Sequence, residues 1–452
     1  MPDPGRVFKA YDVRGIVPDE IDEDLAYATG ASLVIVTGAA KDPGGVVVGQ
    51  DMRPSSPRLA AAFAAGAASQ GADVVEIGLA STDQLYYASG SLGLPGAMFT
   101  ASHNPAQYNG IKLCRAGASP IGMETGLAEI RDLVVGGISV YDGAPGRRET
   151  RDVLGDYAAY LLGLVDITSI RPLTVVVDAG NGMGGHTVPS VLADLPLTVI
   201  PMYFELDGTF PNHEANPLDP KNLVDLQAKV RDVGADVGLA FDGDADRCFF
   251  IDERGEPVSP SAITAIVAVR ELAKEPGATV LYNLITSHAV PEIVREHGGI
   301  PVRTRVGHSY IKAEMARTGA IFGGEHSAHY YFRDFWRADT GMLAALHVLA
   351  TLGGQDRPLS ALAAEVERYV ASGEVNSTVA DQDASIAAVR TAYGGRAAVE
   401  IDDLDGMTVT GSGWWFNVRA SNTEPLLRLN VEAADRETMG AVRDEVLDLV
   451  RR

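Results

Sequence analysis

Cysteine is scarce: only Cys114 and Cys248 occur in 452 residues, so no disulfide framework can be inferred. Cys248 stands in an apolar run and reads as a small core residue. Positive charge is also short, with 37 Lys and Arg against 60 Asp and Glu for a formal net charge of -23. That balance disfavours a nucleic-acid partner, because duplex binding relies on basic patches that release counterions. No long hydrophobic run is present. The most alanine-rich stretch, Leu59 to Ser69, is too short and interrupted to span a membrane. The opening MPDPGRVFKAYD has neither the charged nor the apolar region of a signal peptide. A cytoplasmic protein without a membrane partner is therefore expected.

Low-complexity tracts are missing as well, and 46% hydrophobic with 21% charged residues is the balance of a folded globular protein. At 452 residues the chain is too long for one core, and three or four domains are expected. The acidic total does not exclude an anionic ligand. Salt screens the long-range field, and a cleft with local Arg, Lys and a metal can still be positive.

Three segments repeat an apolar β-branched strand, a Gly- or Ser-containing loop and a helix, the pattern of α/β units. The first runs from Val46 through Asp51 to a helix opening at Ser55-Ser56-Pro57. The second begins at Leu173 and breaks at Gly180-Asn181-Gly182. The third begins at Ala278 and leads to a helix over about 287–296. The end differs: Met407 to Thr410, Trp414 to Arg419 and Leu426 to Val431 read as strands, and Glu437 to Val450 as a helix, giving an α+β tail. Polar or turn-rich stretches place boundaries near Asp152, Gly255 and Val370, for domains 1–151, 152–255, 256–369 and 370–452.

Two motifs carry the chemistry. Thr100-Ala101-Ser102-His103-Asn104-Pro105 puts one hydroxyl after the strand-like Gly96 to Thr100, at a sheet edge where α/β enzymes bind ligands. A serine hydroxyl needs a base or metal to become a good nucleophile. Read alone, the run also fits an ordinary Ser/Asn/Pro turn. In Phe241-Asp242-Gly243-Asp244-Ala245-Asp246-Arg247, three carboxylates crowd alternate positions between apolar strands. Such like charges repel, and a hard divalent cation with oxygen ligands would relieve them. A calcium hand needs glycine where Arg247 sits. Its closing glutamate is matched by Glu253, but Cys248 to Ile251 between them reads as a buried strand.

Two further segments are polar loops of functional composition. Arg419-Ala420-Ser421-Asn422-Thr423-Glu424-Pro425 offers a guanidinium, hydroxyls, an amide and backbone N–H groups suited to a phosphate, or a polar hairpin. Gly323 to His329 reads GGEHSAH, where the glycines let the backbone approach a ligand, while a lone loop glutamate such as Glu325 is usually just solvated. A rival signal is Gly180-Asn181-Gly182-Met183-Gly184-Gly185 after a strand, with Glu205 twenty positions on. It fits a dinucleotide fingerprint and would make the protein a nicotinamide-dependent dehydrogenase. That reading leaves Ser102 and the aspartates unexplained.

Together TASHNP, DGDADR, GGEHSAH and RASNTEP, with the opening FKAYDVRG, resemble the α-D-phosphohexomutase family, most closely its bacterial phosphomannomutases. The resemblance spans most of the chain. It implies three similar α/β domains plus a C-terminal α+β domain around a central cleft, a phosphoserine at Ser102, and Mg2+ on Asp242, Asp244, Asp246 and the Ser102 phosphate. It further implies catalytic roles for Arg14, Lys112, Arg247 and His308. Sugar-phosphate contacts are implied for His103, Glu325, Ser327, His329, Arg419, Ser421, Asn422 and Thr423. A hexose 1,6-bisphosphate would be both activator and intermediate, and the enzyme a monomer or homodimer. GGEHSAHYYFRDF resembles the mannose-processing and dual-specificity members and lacks the GEQSGH of phosphoglucosamine mutases, so mannose phosphate is the expected substrate and glucose phosphate the alternative. Tyr282 to Ser287 departs from the Asp-and-basic pattern often seen there. A sugar-phosphate sensor without turnover is the reading from another class.

Overall fold

The computed structural model describes residues 4–41, 44–167, 169–420 and 426–451, with every side chain among them except that of His308. The chain forms two compact units, Met1–Val258 with Ser327–Ser360, and Ser259–His326 with Ala361–Arg452. No helix among the described residues is long and apolar enough to cross a membrane.

The first unit holds two sheets. In one, the order is Val13–Ile16, Tyr108–Arg115, Gly96–Phe99, Val46–Gln50, Val74–Leu79 and Arg148–Thr150. Val46–Gln50 pairs in parallel with both its neighbours, and its valines are buried, as a strand covered on both faces requires. Helices Glu23–Thr37, Ser56–Ser69 and Thr82–Leu92 accompany it. Ser81 caps the last of them, its hydroxyl accepting from Gln84 N at 3.2 Å. Strand Gly96–Phe99 is interior, so the serine loop leaves its carboxyl end and not a lateral edge of the sheet.

In the other sheet of this unit the order is Pro257–Val258, Cys248–Ile251, Val237–Phe241, Leu173–Asp178 and Leu197–Met202. Val237–Phe241 and Cys248–Ile251 are antiparallel, and residues 242–247 are the connection between them. The aspartate motif is therefore the tip of a hairpin whose arms are wholly buried. A further hairpin, Tyr330–Phe332 with Ala338–Asp339, feeds the buried helix Gly341–Gly353.

In the second unit Ile300–Thr304, Thr279–Asn283 and Phe322–Gly324 are parallel, repeating the α/β theme with helices Pro260–Lys274, Ala289–Glu296 and His308–Thr318. Its other sheet is antiparallel throughout, in the order Val370–Thr378, Leu426–Ala433, Trp414–Ala420, Met407–Gly411 and Glu400–Asp402. Helices Gln382–Tyr393 and Arg436–Val450 pack on it around Tyr393, Phe416 and Val446. The architecture is thus three α/β assemblies followed by an α+β one.

Candidate active site

The serine loop reaches the aspartate hairpin within the first unit. Ser102 Oγ donates to Asp242 Oδ2 at 2.8 Å, across 140 positions of sequence. Its own N–H donates to Thr100 Oγ1 at 2.9 Å. Ser102 has φ of 50°, a left-handed conformation uncommon for a residue with a side chain and recurrent where backbone strain serves a site. Arg247 Nη2 donates to Ser102 Oγ at 3.3 Å and to His103 Nδ1 at 2.5 Å. Burial, then the charges of Arg247 and Arg14, push the His103 pKa well below its usual value, so a neutral ring accepting at Nδ1 agrees with the geometry.

On the hairpin, Ala245 takes a φ of 59°, and ligand oxygens of Asp242, Asp244 and Asp246 come within 4.8 Å of one another. All three residues are buried. Lys112 Nζ donates to Asp244 Oδ2 and Asp246 Oδ2, both at 2.6 Å. Arg247 donates to Asp242 Oδ2 from Nε at 3.0 Å and Nη2 at 2.7 Å. Thr82 Oγ1 donates to Asp244 Oδ2 at 2.5 Å, and Thr82 N to the Asp244 carbonyl at 3.0 Å. Burial raises the Asp242 pKa to about 7 against the opposing Arg247. For Asp244 burial also pushes upward, but Lys112 together with the Thr82 hydrogen bond and the Arg247 charge outweighs it, and the net shift is downward.

Two cations thus face three carboxylates, and Asp244 Oδ1 and Asp246 Oδ1 are buried without a hydrogen-bond partner. Unpaired buried carboxylate oxygens are costly. Oxygen donors converging with residual negative charge fit a hard divalent cation such as Mg2+. His329 Nε2 is 3.9 Å from Asp246 Oδ1, and its Nδ1 lies 2.9 Å from Ser327 Oγ. Arg14 donates to Asn104 Oδ1 at 2.6 Å within the serine loop and to Asp12 Oδ2 at 2.5 Å. The first unit therefore brings together Arg14, Ser102, His103, Lys112, Asp242, Asp244, Asp246, Arg247, Ser327 and His329.

The other expected residues belong to the second unit. Glu325 is buried, its Oε1 accepting from Asn283 Nδ2 at 3.2 Å and Gly307 N at 3.1 Å. Arg419 Nη2 donates to Glu374 Oε2 at 3.0 Å. Helix His308–Thr318 begins at His308, whose side chain lies outside the description, and carries the buried Lys312. Ser421, Asn422 and Thr423 lie outside the described residues.

Family models cover nearly the whole chain. Four descriptions match in order: phosphoglucomutase/phosphomannomutase alpha/beta/alpha domain I at residues 5–136, domain II at 155–255, domain III at 259–369, and the C-terminal domain at 374–449. The chain belongs to this family. Among curated relatives, a protein of Xanthomonas campestris named "Phosphohexose mutases" is 41% identical over 447 residues, covering 98% of this chain and 99% of its own. An Escherichia coli phosphomannomutase is 41% identical over 457 residues, with 98% and 99% covered. The crystal structure of a phosphoglucomutase/phosphomannomutase family protein from Burkholderia thailandensis superposes with a TM-score of 0.90 at 31% identity, covering 100% of this chain and 98% of that one.

The chain is accordingly a phosphohexomutase, an isomerase-class enzyme that transfers phosphate within a sugar phosphate. In this phosphohexomutase the Gly-rich turn at Gly180 serves packing. A Cβ on Gly182 would lie 2.7 Å from the Gly243 carbonyl oxygen, so the turn seats the aspartate hairpin. Sequence reasoning missed Thr82, Arg53 and Asp83. Arg53 follows Asp51 in an Asp-x-Arg step at a strand end, the one local signal available; Thr82 and Asp83 carry only an N-cap signature.

Proposed function

We propose that this phosphohexomutase interconverts mannose 6-phosphate and mannose 1-phosphate through a phosphoserine at Ser102 and a hexose 1,6-bisphosphate. The observation that carries the reading is Ser102 Oγ at 2.8 Å from Asp242 Oδ2, beside the three-carboxylate cluster. In the first transfer a sugar hydroxyl oxygen bonds to the phosphoserine phosphorus as the Oγ–P bond breaks. The hydroxyl proton goes to a protein base, and the released Ser102 alkoxide is reprotonated. The bisphosphate then turns, and its other phosphate is handed to Ser102 in the reverse sense. Mg2+ bound by Asp242, Asp244 and Asp246 would neutralise charge on the transferring phosphoryl group.

Arg247, 3.3 Å from Ser102 Oγ, holds positive charge where that group forms, and Arg14 braces the same loop through Asn104. Lys112 and His308 serve proton transfer. Glu325, Ser327 and His329 grip the sugar while His103 borders the phosphoserine. Arg419, Ser421, Asn422 and Thr423 hold the phosphate that is not being transferred. Domains of 1–151, 152–255, 256–369 and 370–452 divide these tasks, in keeping with the four family-model ranges.

A second reading, a dual enzyme for mannose and glucose phosphates, is favoured by the plural name of the Xanthomonas campestris relative. A coupled assay with mannose 6-phosphate and glucose 6-phosphate, with and without a trace of 1,6-bisphosphate, separates the two. It also excludes a sensor, which would bind without turnover. Run on Ser102→Ala, the same assay tests the mechanism: a loss smaller than about tenfold would count against a phosphoserine.

A further inference from the structure

Below the serine loop lies a guanidinium with every donor engaged. Arg53 is fully buried, and its Nε donates to Asp51 Oδ2 at 3.2 Å. Nη2 donates to the carbonyl oxygens of Ser102 at 2.9 Å and Asn104 at 2.7 Å. Nη1 donates to those of Pro105 at 2.9 Å and Tyr108 at 3.0 Å. An arginine has five side-chain N–H donors in a fixed fork, and here all five are used, three of them on the serine loop and one on the strand that follows it.

Carbonyls facing inward at the end of a strand need partners, since a buried peptide oxygen without one costs stability. No neutral side chain and no lysine supplies four donors in that plane. The charge is balanced locally: Asp51 accepts from Arg53 at both N and Nε, and its Oδ1 also takes the Ser56 hydroxyl at 2.6 Å. The site is closed from above by the second sheet's domain. A Cβ on Gly208 would lie 2.5 Å from Arg53 Cα, and the Phe210 ring sits 5.1 Å from the guanidinium carbon.

We infer that Arg53 is the positioning residue of Ser102, setting the direction of its Oγ by fixing the carbonyl of the same residue. Ser102 holds a left-handed φ of 50°, a strained conformation that the surroundings must impose. Arg53 imposes it by holding the Ser102 and Asn104 carbonyls on one nitrogen, the backbone setting in which Ser102 Oγ donates to Asp242 Oδ2 at 2.8 Å. Fully buried with all five donors engaged, Arg53 has none left for substrate or phosphate. It acts through the loop, and the inference rests on the phosphoserine reading above.

The test uses the full chain with Arg53→Lys and Arg53→Ala, assayed with magnesium and the 1,6-bisphosphate. Phosphate uptake by Ser102 is followed by intact mass, and folding by circular dichroism. Loss of aim should lower kcat about 100-fold with KM changed less than about threefold, and slow phosphoserine formation in parallel. Methylguanidinium should restore part of the kcat of Arg53→Ala, which a purely structural defect would not show. Folded variants with kcat within about threefold of wild type overturn the inference, as does a loss seen only in KM or a variant that fails to fold at all. Wild-type enzyme that never takes phosphate on Ser102 sinks the phosphoserine reading itself. Wild-type and Arg53→Lys enzymes that label equally fast sink the positioning role alone.

Discussion

A Cβ placed on Gly243 would lie 2.4 Å from the carbonyl oxygen of Ser102, a distance real Cβ atoms do not adopt. The serine loop and the aspartate hairpin therefore meet backbone to backbone, and the Ser102–Asp242 hydrogen bond rides on that contact. Gly243→Ala should wedge the loops apart while keeping all three carboxylates. The expected result is a kcat lowered about 100-fold, since displacements near 1 Å have that effect. Overpacking should cost about 1–3 kcal/mol of stability, read by thermal unfolding. Activity near wild type would mean that the loops are not locked in the working enzyme.

Asp246 offers a buried Oδ1 without a hydrogen-bond partner, whereas its Oδ2 is taken by Lys112. If the cluster holds magnesium, wild-type melting temperature should rise with magnesium concentration by mass action. Asp246→Asn should then need about 10–100-fold more metal for the same rise. Identical magnesium titrations for the two proteins would remove Asp246 from the ligand set.

His213 gives a pH dependence whose sign follows from geometry. Its Nε2 lies 3.0 Å from Asp178 Oδ2 and its Nδ1 2.8 Å from the Glu214 carbonyl, so both nitrogens face acceptors and the doubly protonated ring satisfies both. Burial pulls its pKa down, but the Asp178 hydrogen bond and charge outweigh this and raise it above 6.5. The stabilisation is complete below 6.5 and is lost as pH rises through the higher folded value. His213→Gln should therefore flatten the fall in unfolding free energy above pH 6.5. A slope unchanged by the substitution would assign that fall to other groups.

The difference between what the sequence reveals and what it conceals has a physical cause. Asp242, Asp244 and Asp246 are legible because local crowding of charge is itself a signal, and Ser102 because a short motif surrounds it. Arg53 is not legible, since its carbonyl partners lie 49 to 55 positions away and carry no side-chain identity. The strand Val370–Thr378 is hidden for a related reason. Most of its residues are exposed, so it shows no apolar alternation, and its register comes from backbone pairing to Leu426–Ala433 across a bulge. The Gly180 turn misleads in the opposite direction, because close packing and pyrophosphate binding demand the same glycines.

Asp83 joins three stretches of the first unit and gives the last prediction. It is fully buried, and its Oδ2 accepts from Tyr157 OH and Thr340 Oγ1, both at 2.7 Å, while its Oδ1 accepts from the Ser81 hydroxyl. Next to it, Thr82 holds Asp244, so this junction also steadies the aspartate hairpin. Burial raises the Asp83 pKa from 3.8 to about 6 despite those donors. Its neutral form therefore suits the fold, with a contribution complete below 3.8 that is lost as pH rises through about 6. Asp83→Asn keeps an acceptor without the charge and should remove this group's slope between those values, leaving the protein the more stable partner at pH 7. Asp83→Ala should instead cost about 1–3 kcal/mol for each buried hydroxyl left without its acceptor. Thermal unfolding of the three proteins at pH 5 and pH 7 reads both effects, and an Asn variant less stable than wild type at pH 7 would show that the ionised carboxylate is what the three hydroxyls require.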